Sequence, residues 1–231
     1  MMRNGSLLRS LLVAEMLDGL RGRIEGRVAL ALQRSMASRF DGLIRELLVD
    51  AASLWESEGF FRKNDSEIAC TVRMFDCASR LRDARAELAL IHVQYDGPQP
   101  TPEMRRGLAD PARARRPDLN FRVGEVVVHV EAKRLHLRDG LPRLYVDEGM
   151  RRFIDGHYPA SPDGCGYMLA YVLNDPPPDA VAEVNAIISG APDLGPKHVL
   201  GAPSERGPRL LLHVSLHNDG LRLLHQAIDI R

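Results

Sequence analysis

Arg116-Pro117-Asp118-Leu119-Asn120-Phe121-Arg122-Val123-Gly124-Glu125-Val126-Val127-Val128-His129-Val130-Glu131-Ala132-Lys133-Arg134 alternates on both sides of a single glycine. Gly124-Glu125 suits a two-residue hairpin turn, with glycine at the first central position of a type II′ turn. That turn fixes the register. Val123 then faces Val126, Phe121 faces Val128 and Leu119 faces Val130, so one face is wholly apolar. On the other face Arg122 meets Val127, Asn120 meets His129 and Asp118 meets Glu131. Side chains directly opposite in such a ladder have Cβ atoms ~5 Å apart.

Two carboxylates so placed repel unless a cation sits between them, and a hard divalent ion such as Mg²⁺ prefers carboxylate oxygens. Lys133 lies two residues beyond Glu131 and projects from the same face, ~6–7 Å along the strand. Two acids and an amine converging on one point are what metal-assisted phosphodiester hydrolysis needs. The metal polarises the phosphate and acidifies a bound water. The amine orients that water or stabilises developing negative charge. The other reading is a solvated strand face, on which Glu-x-Lys is common. Against it, the valine run ahead of Glu131 predicts a buried strand. Lysine is also scarce: of 31 basic residues only Lys63, Lys133 and Lys197 are lysine.

Outward from the hairpin, apolar spacing predicts helices over 6–34 and 39–58, and a helix over 65–82 with Asn64, Asp65 and Ser66 as cap candidates. A strand is expected over 88–95, ended by Asp96-Gly97-Pro98. A loop over 97–116, the hairpin strands 117–123 and 126–134, and a short helix over 147–156 follow. Then come a strand over 165–173, a helix over 179–189, and a last hairpin of 210–216 with 221–228 about Asn218-Asp219-Gly220. The expected organisation is a helical N-terminal extension, 1–62, and a mixed α/β domain, 63–231. The extension either covers the core or serves as a dimer or partner arm.

Pro117-Asp118 followed by Glu131-Ala132-Lys133 at the end of a valine-rich strand resembles the PD-(D/E)xK nuclease superfamily, to which restriction endonucleases and many repair and phage-defence nucleases belong. The order of elements over about residues 63–175 is similar as well. The resemblance implies a restriction-endonuclease-like α/β core, a mixed sheet flanked by helices. It implies Mg²⁺ or Mn²⁺ as cofactor and nucleic acid, DNA before RNA, as substrate. Asp118 and Glu131 match the metal-binding acids, Lys133 the motif lysine, and Ala132 the residue whose carbonyl joins the metal. Many members add a glutamate from the first core helix, and Glu67 is the choice for it; its alternative is an acid favoured by the helix dipole. Glu46 and Glu56 are weaker choices. A catalytically silent subunit of the same fold, binding nucleic acid or a partner protein, is the alternative function.

Arg105, Arg106, Arg113, Arg115 and Arg116 crowd the loop before Asp118 and form a candidate phosphate clamp; the alternative is a solvated loop. Arg151 and Arg152 read as helix surface. With 31 basic and 31 acidic residues, bulk charge does not hold nucleic acid, so binding needs a local patch. Cys70, Cys77 and Cys165 form no Cys-x-x-Cys pair and read as core fillers, which suits a reducing, cytoplasmic setting. His213 and His217 would share a strand face ~13 Å apart, too far for one zinc ion. No apolar run approaches the ~20 residues of a membrane span.

Overall fold

The computed structural model describes residues 26–59, 65–99, 102–110, 112, 114–207 and 209–231. The expected helix over 6–34 therefore falls largely outside the described residues. Among the described residues seven strands form one mixed sheet: β1 (His92–Tyr95), β2 (Leu119–Val123), β3 (Val126–Leu135), β4 (Cys165–Val172), β5 (Ser204–Gly207), β6 (Leu210–Leu216) and β7 (Arg222–Asp229), in the order β1-β2-β3-β4-β7-β6-β5. β1, β2 and β3 run antiparallel to one another, β4 is parallel to both β3 and β7, and β6 returns antiparallel to β7.

The hairpin pairs in the expected register, from Val123↔Val126 to Leu119↔Val130. Gly124 takes φ +56°, the left-handed value that the first central residue of the turn demands. The ladder ends at Leu119–Val130. Asp118 is thus not a paired rung opposite Glu131, as expected, but lies one residue beyond the last one.

One face of the sheet is covered by α1 (Gly26–Ser57) and α2 (Glu67–Ala84). Ile44, Leu47, Leu48, Ala51 and Trp55 of α1 and Cys70, Met74 and Cys77 of α2 pack against Leu119, Phe121, Val128 and Val130. α1 is continuous where a break before residue 39 was expected, because Gln33-Arg34-Ser35-Met36-Ala37-Ser38 contains neither glycine nor proline. From Phe40 onward α1 belongs to this same core, so a boundary at residue 62 does not separate two packing units. α2 begins where Ser66 Oγ accepts from Ala69 N, at 3.1 Å.

The other face is covered by α4 (Leu141–Leu144), a wide π turn (Tyr145–Met150), α5 (Arg151–Ile154) and α6 (Pro177–Gly190); α3 (Pro102–Arg105) is a single turn in the loop before β2. Tyr145, Val146, Met150 and Phe153 pack there on Met168, Ala170 and Leu223. The helix expected over 147–156 therefore starts earlier, at Leu141. The strand expected over 88–95 is shorter, since Ala86–Leu88 forms a 3₁₀ turn that buries Leu88. Edge strand β5 was not expected. No helix among the described residues is long and apolar enough to cross a membrane.

Candidate active site

β3 carries Glu131, Lys133 and Leu135 on the face opposite Val126, Val128 and Val130, and this face lies against the π turn. Glu131 is 1% exposed and Lys133 8%, so neither belongs to a solvated strand face. Lys133 Nζ donates to three oxygens: Glu131 Oε1 at 2.8 Å, the Ala132 carbonyl at 3.0 Å and Glu67 Oε1 at 3.2 Å. Glu67 reaches this point from the first residue of α2, and its other oxygen accepts from Arg134 N at 3.0 Å. Its place at the helix start thus serves the cluster as well as the helix dipole.

Asp118 joins from the residue before β2. Its Oδ2 accepts from Ala132 N at 2.7 Å. Glu131 Oε2 meets Arg152 Nη1 at 3.4 Å. Arg152 Nη1 also donates to Tyr158 Oη at 2.6 Å, and that hydroxyl donates to the Arg116 carbonyl at 3.2 Å. Arg152 and Tyr158 therefore tie α5 to the chain just ahead of Asp118. Beside them His129 Nδ1 lies 2.7 Å from Asn120 Oδ1, and its ring packs 5.6 Å from that of Tyr158. Burial pushes this imidazole down to about 4, so it is neutral at pH 7.

Burial and then the charge of Asp118 push the Glu131 carboxyl up to about 7, against the pull of Lys133 and Arg152. Burial likewise raises Asp118, against its bond from Ala132 N–H. Burial works against the Lys133 ammonium, but Glu131, Glu67 and Asp118 outweigh it and hold its pKa above the ordinary value. The two acids repel, as anticipated, and the lysine charge is what offsets them here.

The four acidic and basic residues of the motif set are thus brought together. Among the described residues no three His, Cys, Asp or Glu side chains are placed to share one ion. The reason is visible: the Lys133 ammonium lies between Glu67 and Glu131, while Asp118 turns toward Ala132 N–H. The donor set is nonetheless one that a hard cation takes, carboxylates and a carbonyl already gathered about a positive charge.

The arginine loop is only partly brought to this site. Arg115 and Arg116 are exposed; Arg116 offers its carbonyl to Tyr158, and its guanidinium lies 3.8 Å from Asp96. Arg115 acts on His129 electrostatically. Arg105 and Arg106 are exposed about α3, with Arg106 3.3 Å from Glu103. Arg113 lies outside the described residues. Glu46 is exposed on α1 and Glu56 pairs with Arg209 at 3.7 Å, so neither reaches the cluster.

Sequence reading missed Arg152. Arg151 is half-buried and clamped on Asp193 at 2.5 and 2.9 Å. Its neighbour, the more exposed of the two, reaches Glu131 with one nitrogen. The π turn just ahead of the pair inserts a residue into the helical phase, and nothing in the spacing reports it.

The C-terminal histidines build a separate buried network. Ser215 Oγ lies 2.8 Å from both His217 Nε2 and His225 Nε2, Tyr145 Oη lies 2.7 Å from His225 Nδ1, and His198 stacks on His217 at 4.9 Å.

No family model matches the chain, and neither the curated proteins nor the solved structures give a match.

Proposed function

We propose that this protein is a Mg²⁺- or Mn²⁺-dependent nuclease with a restriction-endonuclease-like core, hydrolysing phosphodiester bonds of nucleic acid, DNA before RNA. The observation that carries the reading is the convergence of Asp118, Glu131, Lys133 and Glu67 on one partly covered point. The order α2, β1, β2, β3, helix, β4, with β4 parallel beside β3, supports it.

In this reading Asp118, Glu131 and the Ala132 carbonyl hold the divalent ion, with Glu67 beside them. When bound, the ion polarises the phosphate and lowers the pKa of a water. Lys133 gives up its place among the carboxylates, orients the attacking water and stabilises negative charge developing on the phosphate. The π turn over Lys133 limits access of bulk water to the acids. A cytoplasmic role in restriction, repair or phage defence accords with such an activity.

A second reading, a silent subunit of the same fold that binds nucleic acid or a partner through its N-terminal helices, is favoured by one feature. Lys133, Arg152 and the Ala132 and Arg134 N–H groups already satisfy the carboxylates without a metal ion.

Cleavage of supercoiled plasmid, linear duplex and single-stranded DNA with Mg²⁺ or Mn²⁺ separates the two. The nuclease reading expects cutting by the wild type and none by Asp118→Ala or Lys133→Ala. Cutting that survives both changes, or no cutting by a folded wild type, overturns it.

A further inference from the structure

Arg152 is the solvent-facing cation of the cluster. Its side chain is 38% exposed, against 10% for Lys133 and 1% for Glu131. One nitrogen, Nη1, makes both of its hydrogen bonds, to Glu131 Oε2 and Tyr158 Oη. Nε and Nη2 donate to no acceptor among the described residues. The guanidinium is held by these two contacts, by the Tyr158 ring 5.6 Å from its carbon, and through Tyr158 by the Arg116 carbonyl. A planar fork fixed on one edge and open on the other suits a phosphate oxygen better than a mobile surface arginine does.

The charges agree. With every group ionised, Asp118, Glu131 and Glu67 against Lys133 and Arg152 leave one negative charge in excess. A single divalent cation reverses that to one positive charge, which a phosphodiester neutralises. Arg151, next in the chain, is unsuited to the task because its guanidinium is spent on Asp193 and Asp147.

We propose that Arg152 contacts substrate directly, donating through its open edge to a backbone phosphate at the Asp118–Glu131–Lys133 site. This rests on the nuclease reading and names a phosphate-binding residue for it.

The test is the binding of a fluorescein-labelled duplex oligonucleotide in Ca²⁺, followed by anisotropy over a salt series. The proteins are wild type, Arg152→Ala, Arg152→Lys and Arg151→Ala. Loss of one phosphate contact reduces the slope of log K against log [salt] by about one. A charge-assisted hydrogen bond is worth enough to weaken binding about tenfold or more. Arg152→Ala is expected to show both effects, Arg152→Lys to restore the slope, and Arg151→Ala to match the wild type. A purely structural arginine would not move the slope. Where Arg152→Ala melts early, Arg152→Gln keeps a donor for Glu131 and Tyr158 without the charge, and is expected to show the same reduced slope. An Arg152→Ala or Arg152→Gln protein that is folded and binds with wild-type affinity and slope overturns the proposal alone. A folded wild type that neither binds nor cuts the oligonucleotide overturns the nuclease reading, and the role of Arg152 with it.

Discussion

Asp118 Oδ2 and the Ala132 amide are joined by a 2.7 Å hydrogen bond that locks the residue before β2 to the middle of the Glu131-Ala132-Lys133 segment. The aspartate thus has a structural task beside any chemical one, and the two are separable. In Asp118→Ala the Ala132 N–H loses its partner, which costs about 1–3 kcal/mol of stability. Asp118→Asn keeps a side-chain oxygen there and removes the charge. Thermal melts are expected to place Asn near the wild type and Ala several degrees lower, while both fail to cut DNA.

The state of Glu131 sets a pH dependence. Its carboxyl, pushed up to about 7 by burial and Asp118, must be ionised to hold a cation. Metal-dependent cleavage at limiting Mn²⁺ is therefore expected to rise through pH 7 and level off above it. A profile flat from pH 5.5 to 8.5 contradicts this.

The histidines set another. Burial depresses His129 and His217 to about 4, and His225 lies well below its ordinary value. Unfolding returns each toward 6.5, so the unfolded chain binds more protons between about pH 4 and 6.5. Their stabilising contribution is complete above pH 6.5 and is lost as pH falls, with a slope of up to about 1.4 kcal/mol per pH unit for each. Glu131 opposes this. Its folded pKa is raised, so acidification between about 7 and its unfolded value favours the fold. Burial raises Asp118 and Asp41 as well, and they oppose the histidines in the same sense. The histidine contribution is therefore read by comparison: between pH 6.5 and 4 the melting temperature of metal-free His217→Gln is expected to fall less, or rise more, than that of the wild type.

Gly149 is where the π turn lies against β3. A methyl group there would come 2.6 Å from Met168 Cε and 3.4 Å from Lys133 Cγ. Gly149→Ala is expected to fold, because the Met168 thioether end can move, yet to displace Lys133 and lower the cleavage rate about tenfold or more, as small misplacements at reacting centres do. Adding Met168→Ala is expected to recover part of that rate.

The central hairpin was legible because two independent signals agree on it. Gly124 fixes the turn, and the alternation of valine with polar residues allows only one register that buries an apolar face. Asp118, Glu131 and Lys133 were gathered by that register, whereas Glu67 entered only through the family resemblance, at a helix start marked by its cap candidates. Other features carry no such double signal. β5 is a short polar edge strand paired on one side, with no apolar alternation to mark it. Leu88 is buried by a 3₁₀ turn, and apolar content alone does not distinguish that from the start of a strand. Arg152 depends on the phase shift of the π turn, and Asp118 closes onto Ala132 N–H rather than standing as a rung because the ladder ends at Leu119.

The most direct measurement is Mn²⁺ binding followed by electron paramagnetic resonance at pH 8, where Glu131 is ionised, for the wild type, Asp118→Asn and Glu131→Gln. The account predicts Mn²⁺ bound by the wild type and affinity at least about tenfold weaker in both variants, each of which removes one carboxylate charge from the site. A folded wild type that takes up no Mn²⁺ at millimolar concentration, or variants that bind as the wild type does, would contradict it.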